Sequence, residues 1–236
     1  MTISERQKKD LSPQLRSLTK VVGKALGDFA MIKEGDRILV AVSGGKGSML
    51  LWEMMKYFQQ VAPIDFAIQP AFVDTGRQSF SVQGFQEYFC RQGFPCLVVK
   101  KRRDCRGKKV LKCLLPLRKR CKFNKIALGL SLDDMAEEAL FNFFYHGEIG
   151  AVIPRQGFSK CGNAVICPLA YVHRQEIEKI PLPEGLRVFQ KTPCRKDHDP
   201  RRQLVRQLLV QVEKGNSAAK KNVVQALRNI KWEYLP

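Results

Sequence analysis

The chain holds no uninterrupted apolar stretch of the ~18 residues that a membrane-spanning helix needs, so no membrane span and no membrane partner are expected. Its first twenty residues, MTISERQKKDLSPQLRSLTK, contain neither an apolar core nor a small-residue cleavage site. No secretory signal is visible there, and a cytoplasmic location is expected. Neither an internal repeat nor a low-complexity linker interrupts the chain. Acidic residues are scarce: 22 Asp and Glu face 41 Lys and Arg, a formal charge of +19. An enzyme acting on small neutral molecules has no need of that excess, which repels itself in the compact state. A polyanion relieves it, and nucleic acid is the leading candidate. An anionic membrane surface is the lesser one. A basic surface kept for solubility is the weaker reading, because acidic residues serve solubility better. In a reducing compartment the eight cysteines are expected to be reduced or metal-bound rather than paired.

What is present suffices for one sizeable core, since 236 residues are 44% hydrophobic in type. Residues 3–30 read as helical and basic, with a break around Gly23 to Gly27. Short apolar runs then alternate with helical periodicity. Strands are expected at 36–42, 65–76, 94–101 and 124–131, and helices at 48–60, 79–93, 107–122 and 133–147. Pro116 should kink or shorten the third of these helices. A strand at 164–172, a short helix from His173 and two basic amphipathic helices follow. This alternation predicts an α/β fold, a doubly wound and mainly parallel sheet with a basic helical C-terminal tail. The expected organisation is a basic N-terminal helical segment (1–30), a nucleotide-binding α/β domain (31–160), and a C-terminal strand with basic helices (161–236) packed on that same domain.

The first strand ends in Ser43-Gly44-Gly45-Lys46-Gly47-Ser48, and a helix follows. Ligands of open α/β sheets bind beyond the carboxyl ends of the strands. A glycine turn brings backbone close to a phosphate there, and the helix start adds free N–H groups. Two familiar loops fail on spacing. G-x-x-x-x-G-K-[ST] finds Val40 in its first glycine's place and Gly47 after the lysine, and G-x-G-x-x-G ends on Leu50.

The run ILVAVSGGKGSMLL resembles the S-G-G-x-D-S pyrophosphate loop of the ATP-pyrophosphatase (PP-loop) superfamily, with one mismatch. KIALGLSLDDMAEEALFNFFYHGEIGAVIP (125–154), VICPLAYVHRQEIEKI (165–180) and the TPC of 192–194 resemble, in order, segments of the tRNA 2-thiocytidine synthetases. The likeness spans about residues 15–212. It implies an adenine nucleotide alpha-hydrolase-like fold that binds ATP with Mg²⁺, adenylates a tRNA cytidine and replaces the activated oxygen with sulfur. An iron–sulfur cluster on three cysteines would serve the sulfur step. tRNA is the implied partner, with a sulfur-donor protein and a homodimer as further expectations. By position the resemblance assigns nucleotide binding to Ala41, Val42, Ser43, Gly44, Gly45, Lys46, Gly47, Ser48, Asp74 and Gly129. It assigns catalysis to Asp133 and Asp134, and metal ligation to Cys105 and Cys194.

Three motif positions depart from the pattern. The loop aspartate is Gly47. Both histidines of G-H-H-x-D-D are replaced, by Leu130 and Ser131, while Asp133 and Asp134 are kept. Two of the pattern's cysteine positions hold Arg102 and Asp197, and two thiolates do not make a secure iron–sulfur site. Cys113 or Cys121 are substitutes on no recognised spacing, and Cys90, Cys96, Cys161 and Cys167 read as small buried residues. Asp133 and Asp134 read equally well as helix-capping residues, and Asp74 as a turn former. His146 reads as a cation at a helix end, and the cluster Phe141, Phe143, Phe144 and Tyr145 as core. Lys100, Lys101, Arg102, Arg103, Arg118, Lys119 and Arg120 form basic runs expected beside the active edge, in contact with RNA backbone. The main functional expectation is ATP-dependent tRNA thiolation. The alternatives are a relative that binds nucleotide or RNA without thiolating, and a cluster-free enzyme of the superfamily with another acceptor.

Overall fold

The computed structural model describes residues 13–76, 78–100, 110–157, 163–187, 189, 199–229, 231 and 233. The chain runs α1 (Pro13–Asp28), β1 (Asp36–Ala41), α2 (Lys46–Val61), β2 (Phe66–Asp74), α3 (Val82–Arg91), β3 (Leu97–Lys100), α4 (Val110–Arg120), β4 (Lys125–Ala127) and α5 (Leu132–His146). Then come β5 (Arg155–Gly157), β6 (Ala164–Ile166), α6 (Arg174–Lys179), α7 (Glu184–Arg187), α8 (Pro200–Gly215) and α9 (Ala219–Ala226). Strands lie in the order β3-β2-β1-β4-β6-β5, all parallel except β5, which runs against β6.

β1 lies between β2 and β4 with helices over both faces, so Ile38 to Ala41 are all buried and read as a continuous apolar run. Ile38 and Val40 join one large core with α1, α2, α3 and α5, while Leu39 and Ala41 face the α4 side with Leu114 and Leu117. Trp52 fills the larger core edge-on between Phe89 and Phe94, with ring centroids 5.3 and 5.0 Å away. At the amino edge of the sheet a buried pair, Asp36 and Lys125, joins β1 to β4. Asp36 also accepts from Asn124 Nδ2 at 2.7 Å and the Lys33 N–H at 2.6 Å. Burial lowers the pKa of the Lys125 ammonium, and Asp36 partly offsets that.

Several expectations change. α1 runs through Gly23 without a break to Asp28, because that glycine lies on the helix face against Phe58. α4 continues four residues beyond Pro116. The strands expected at 124–131 and 164–172 are three residues each. Beyond Ala127 the chain leaves the ladder to reach the Ser43–Ser48 turn, and beyond Ile166 it enters turns closed by Ala170 N–H to Cys167 C=O and Val172 N–H to Leu169 C=O bonds. β5, of sequence RQG, carries no apolar alternation and escapes a pattern reading.

Candidate active site

The Ser43–Ser48 turn lies at the carboxyl edge of β1, where the strand order reverses between β1 and β4. Gly44 has φ +81°, a left-handed conformation open to glycine. Gly45 is the N-cap of α2 and gives no side-chain cap. Ser48 Oγ ties the turn inward: it donates to the Gly45 carbonyl at 2.8 Å, accepts from the Ser43 N–H at 3.0 Å and lies 3.1 Å from Ser43 Oγ. The N–H groups of Lys46 and Gly47, in the first helical turn, have no partner among the described residues. With the positive end of the helix dipole they form a concavity suited to a phosphate. Lys46 Nζ turns across to α6, donating to the Glu178 carbonyl and lying 3.5 Å from the Glu178 carboxylate.

Gly47 and Gly129 meet backbone to backbone. A Cβ on Gly47 would stand 2.8 Å from the Gly129 carbonyl oxygen, and one on Gly129 would stand 2.7 Å from Ser48 Cα. The turn after β4 is thus pressed against the Ser43–Ser48 turn. Ala41 ends β1, and the Val42 N–H donates to the Ala71 carbonyl at 2.9 Å. The structure brings Ala41, Val42, the loop and Gly129 together as expected.

The cap of α5 is Ser131, at a position where the resembled motif has histidine. Its hydroxyl accepts from the Asp134 N–H at 3.1 Å while Asp134 accepts from the Ser131 N–H at 2.9 Å, a capping box. Asp134 also binds Arg174 at 2.6 Å. Asp133 is buried, accepting from Lys220 Nζ at 2.7 Å and from the Arg174 N–H at 2.8 Å, with His173 Nδ1 at 3.6 Å. Burial works against its charge, but the Lys220 and Arg174 hydrogen bonds hold the carboxyl below its usual range. One turn on, Glu137 accepts from Arg174 at 2.6 Å and Arg206 at 2.9 Å, and Glu138 from Arg202 at 2.8 Å. Burial depresses the Arg174 pKa, and its bonds to Glu137 and Asp134 more than reverse that. All four acids of this stripe therefore clamp α6, α8 and α9 onto α5. Arg174, Lys220 and Glu178 are site neighbours that sequence reading missed, since only the fold brings them here from 40 to 132 positions away.

Asp74, at the carboxyl end of β2, accepts from the Gly76 N–H at 2.8 Å and Gln78 Nε2 at 2.7 Å. The Gln78 bond, then the Gly76 bond, lower its pKa. Lys100 is exposed at the carboxyl end of β3. Lys101, Arg102, Arg103, Cys105 and Cys194 lie outside the described residues. The Arg118–Arg120 run is corrected: α4 ends where β4 begins, so the run sits at the amino edge, away from the loop. Arg118 there binds the Phe123 carbonyl at 2.9 Å and Asn163 Oδ1 at 2.6 Å. Among the aromatics Phe141 is buried, under Arg202 at 4.2 Å, but Phe143 and Phe144 are more than half exposed and Tyr145 is exposed too. His146 lies 3.2 Å from Asn142 Oδ1. Cys96 and Cys167 are buried as expected, and desolvation pushes the Cys96 thiol up to about 12. Cys90 is exposed, contrary to its reading as a buried residue. Cys113 and Cys121 belong to the α4-side core. Among the described residues no three His, Cys, Asp or Glu side chains group as metal ligands.

A mostly parallel sheet with a serine-glycine loop between its central strand and the following helix is the architecture of a PP-loop fold. The fold matches that of the U34-tRNA thiolase NcsA from Methanococcus maripaludis, solved with its [4Fe-4S] cluster. The TM-score is 0.71 at 18% identity, covering 94% of this chain and 80% of that one. The chain is 33% identical over 238 residues to the tRNA-cytidine(32) 2-sulfurtransferase of Geobacter sulfurreducens, covering 93% of this chain and 92% of the relative. To the enzyme of that name from Pelobacter propionicus it is 32% identical over 253 residues, 100% of this chain and 93% of the relative. The chain belongs to the tRNA-cytidine(32) 2-sulfurtransferase family. No protein-family model matches it.

Proposed function

We propose that this protein binds ATP at the Ser43–Ser48 loop and uses it to activate a tRNA cytidine for sulfur insertion, the reaction its relatives are named for. The observation that carries the reading is the loop: a left-handed Gly44, an uncapped helix start at Gly45 and free N–H groups on Lys46 and Gly47. The cytidine carbonyl oxygen attacks the α-phosphorus and pyrophosphate leaves; a sulfide-level sulfur from the donor then adds to the activated carbon, the carbon–oxygen bond breaks, and AMP departs with the oxygen. The N–H dipoles of the loop bind the pyrophosphate and stabilise the charge it gains as it departs. Lys46 is the loop's own cation for those phosphates once it exchanges Glu178 for them. Asp74 and Gly129 line the same edge and complete the proposed nucleotide site, and Lys100, exposed at the end of β3, is the proposed contact for RNA backbone. tRNA, a sulfur-donor protein and a second copy of the chain complete the proposed system, in the cytoplasm. The half-exposed Leu204, Leu208 and Val212 on α8 support contact with the second copy.

The donor set at Asp133 and Asp134 does not suit a Mg²⁺ ion, because their oxygens already accept from Lys220, Arg174 and Ser131. We therefore assign these carboxylates to positioning the turn against the loop. Cys105 and Cys194, which the resemblance implies as metal ligands, lie outside the described residues, and no step is routed through them. The clamped acids and the Cβ-free contact at Gly47 favour a second reading, in which the protein binds ATP and tRNA without thiolating. Mass spectrometry of tRNA nucleosides from cells lacking 2-thiocytidine, with and without this protein, separates the two. Appearance of 2-thiocytidine, with tRNA-dependent AMP release in vitro, is the expected result. Binding of both ligands without either product establishes the second reading.

A further inference from the structure

A cavity of about 370 Å³ opens between α1, α9 and the turn after β6, lined in part by Phe29, Tyr171, Lys221, Gln225, Arg228 and Asn229. Its volume falls within the range of small-ligand pockets, roughly 300–1,000 Å³. Leu132, Pro154 and Ala170 also border it, and each follows or precedes a strand at the carboxyl edge of the sheet. The cavity therefore shares the loop's edge but lies on the β4–β6 side, away from β2 and Asp74.

Its chemistry has two parts. Phe29 and Tyr171 form an aromatic corner, with centroids 5.3 Å apart and planes at 50°. Tyr171 is fixed in place by its hydroxyl, which donates to Asp28 at 3.0 Å. Around this corner stand three cations. Lys24 and Lys221 lie 6.0 and 5.9 Å from the Tyr171 ring, and the Arg228 guanidinium lies 5.2 Å from the Phe29 ring. Asp28 is the facing carboxylate and is already bound to Lys24 at 2.9 Å. Lys221 and Arg228 have no carboxylate at ion-pair distance among the described residues, and both are exposed at the rim. The Gln225 and Asn229 amides add donors and acceptors between the rings and the rim. An aromatic corner, hydrogen-bonding amides and unpaired cations at the mouth match the three parts of one nucleotide: a flat base, its polar edge and its phosphate. An apolar ligand would leave the cations unused, and a bare anion would leave the rings unused.

We propose that this cavity is a second nucleotide site, which receives one unpaired base of the bound RNA with its phosphate on Lys221 and Arg228. The proposal rests on the reading of the protein as one that binds tRNA. It adds an anchor that is separate from the ATP loop. The test compares wild type with Lys221→Gln/Arg228→Gln, whose side chains are exposed, and with Tyr171→Phe and Tyr171→Ala. Three quantities are measured: tRNA affinity by filter binding across a salt series, ATP affinity by calorimetry, and AMP affinity by calorimetry.

The double variant is expected to weaken tRNA binding at least tenfold and to lower the salt slope by about one, the one phosphate that the two cations share, with ATP affinity unchanged. Tyr171→Phe keeps the ring and is expected to bind tRNA as wild type does. Tyr171→Ala is expected to lose about five- to a hundredfold. Wild-type tRNA affinity and salt slope in the double variant would overturn the proposal while leaving the ATP and thiolation reading intact. Loss of AMP binding with tRNA binding unchanged would overturn it in favour of a free-nucleotide site. A wild-type protein that binds no tRNA would refute both the anchor and the proposed function.

Discussion

The contact between Gly47 and Gly129 makes a sharp prediction about restoring the family's loop carboxylate. Gly47→Ala and Gly47→Asp both place a Cβ 2.8 Å from the Gly129 carbonyl oxygen, closer than such atoms approach without one of them moving. The obstacle is backbone, which ends at the capped start of α5 and cannot swing aside as a long side chain does. Forcing extra atoms into such a contact costs about 1–3 kcal/mol. Removing a glycine from a helix returns about 0.5–1 kcal/mol, and an aspartate in the first turn returns about 0.3–1 kcal/mol more. Alanine should therefore destabilise by about 1 kcal/mol. Aspartate loses part of its dipole gain because its oxygens face a carbonyl oxygen, so its net cost should be similar. For a chain of this length that corresponds to a Tm lower by about 2–4 °C. Differential scanning calorimetry of both variants reads it directly. A Tm equal to or above wild type in both would refute the close approach of the two turns. If aspartate alone lost stability, the charge and not the Cβ would be the cause. The same Gly47→Asp protein, assayed for tRNA-dependent AMP release, reports whether the missing acid limits turnover.

The acid stripe on α5 sets two further expectations. The Asp133 carboxyl titrates below its ordinary value of 3.8, so its contribution is present above that value and lost as pH falls through the lower folded one. Unfolding midpoints in urea should therefore decline below about pH 4 more steeply for wild type than for Asp133→Asn, and parallel declines would contradict the clamp. Lys220 shows the opposite sign: its pKa lies above 10.5, so its contribution persists through neutral pH and fades only as the solution passes that raised value. Lys220→Met leaves two nearby carboxylates short of a partner and should cost about 2 kcal/mol. Adding Asp133→Asn should recover part of that loss, with a coupling of about 1 kcal/mol in a double-mutant cycle. Strict additivity would place the two side chains in separate networks.

How far the sequence reveals this molecule depends on how local each signal is. β1, β2, α2 and α5 follow from apolar runs and helical spacing, and the loop from its glycines and serines. Ser131 as the cap was locally available, three residues before Asp134, but the adjacent aspartates drew the capping role to themselves. The partners of those aspartates were out of reach. Lys220 sits 87 positions beyond Asp133, and nothing near either residue marks the other. Arg118 illustrates the reverse problem. In a basic run it resembles its neighbours, and only the turn at Phe123 and the approach of Asn163 convert it into an internal donor. Phe143 and Phe144 are exposed for a related reason, since α5 buries the side that carries Met135, Phe141 and Asn142 and turns positions 143 and 144 outward.

The pairing of β1 with β4 also has a consequence for synthesis. Asp36 and Lys125 are 89 positions apart, so a chain made at roughly 5–20 residues per second exposes β1 for about 4–18 s before its second neighbour emerges. Through that interval one side of the central strand, with every backbone group on that side unpaired, is a free edge open to other chains. Arrival of β4 closes that edge and, in the same event, seals the Asp36–Lys125 pair and sets Gly129 against Gly47. The nascent chain therefore cannot assemble the Gly47–Gly129 contact until more than half of it has left the ribosome.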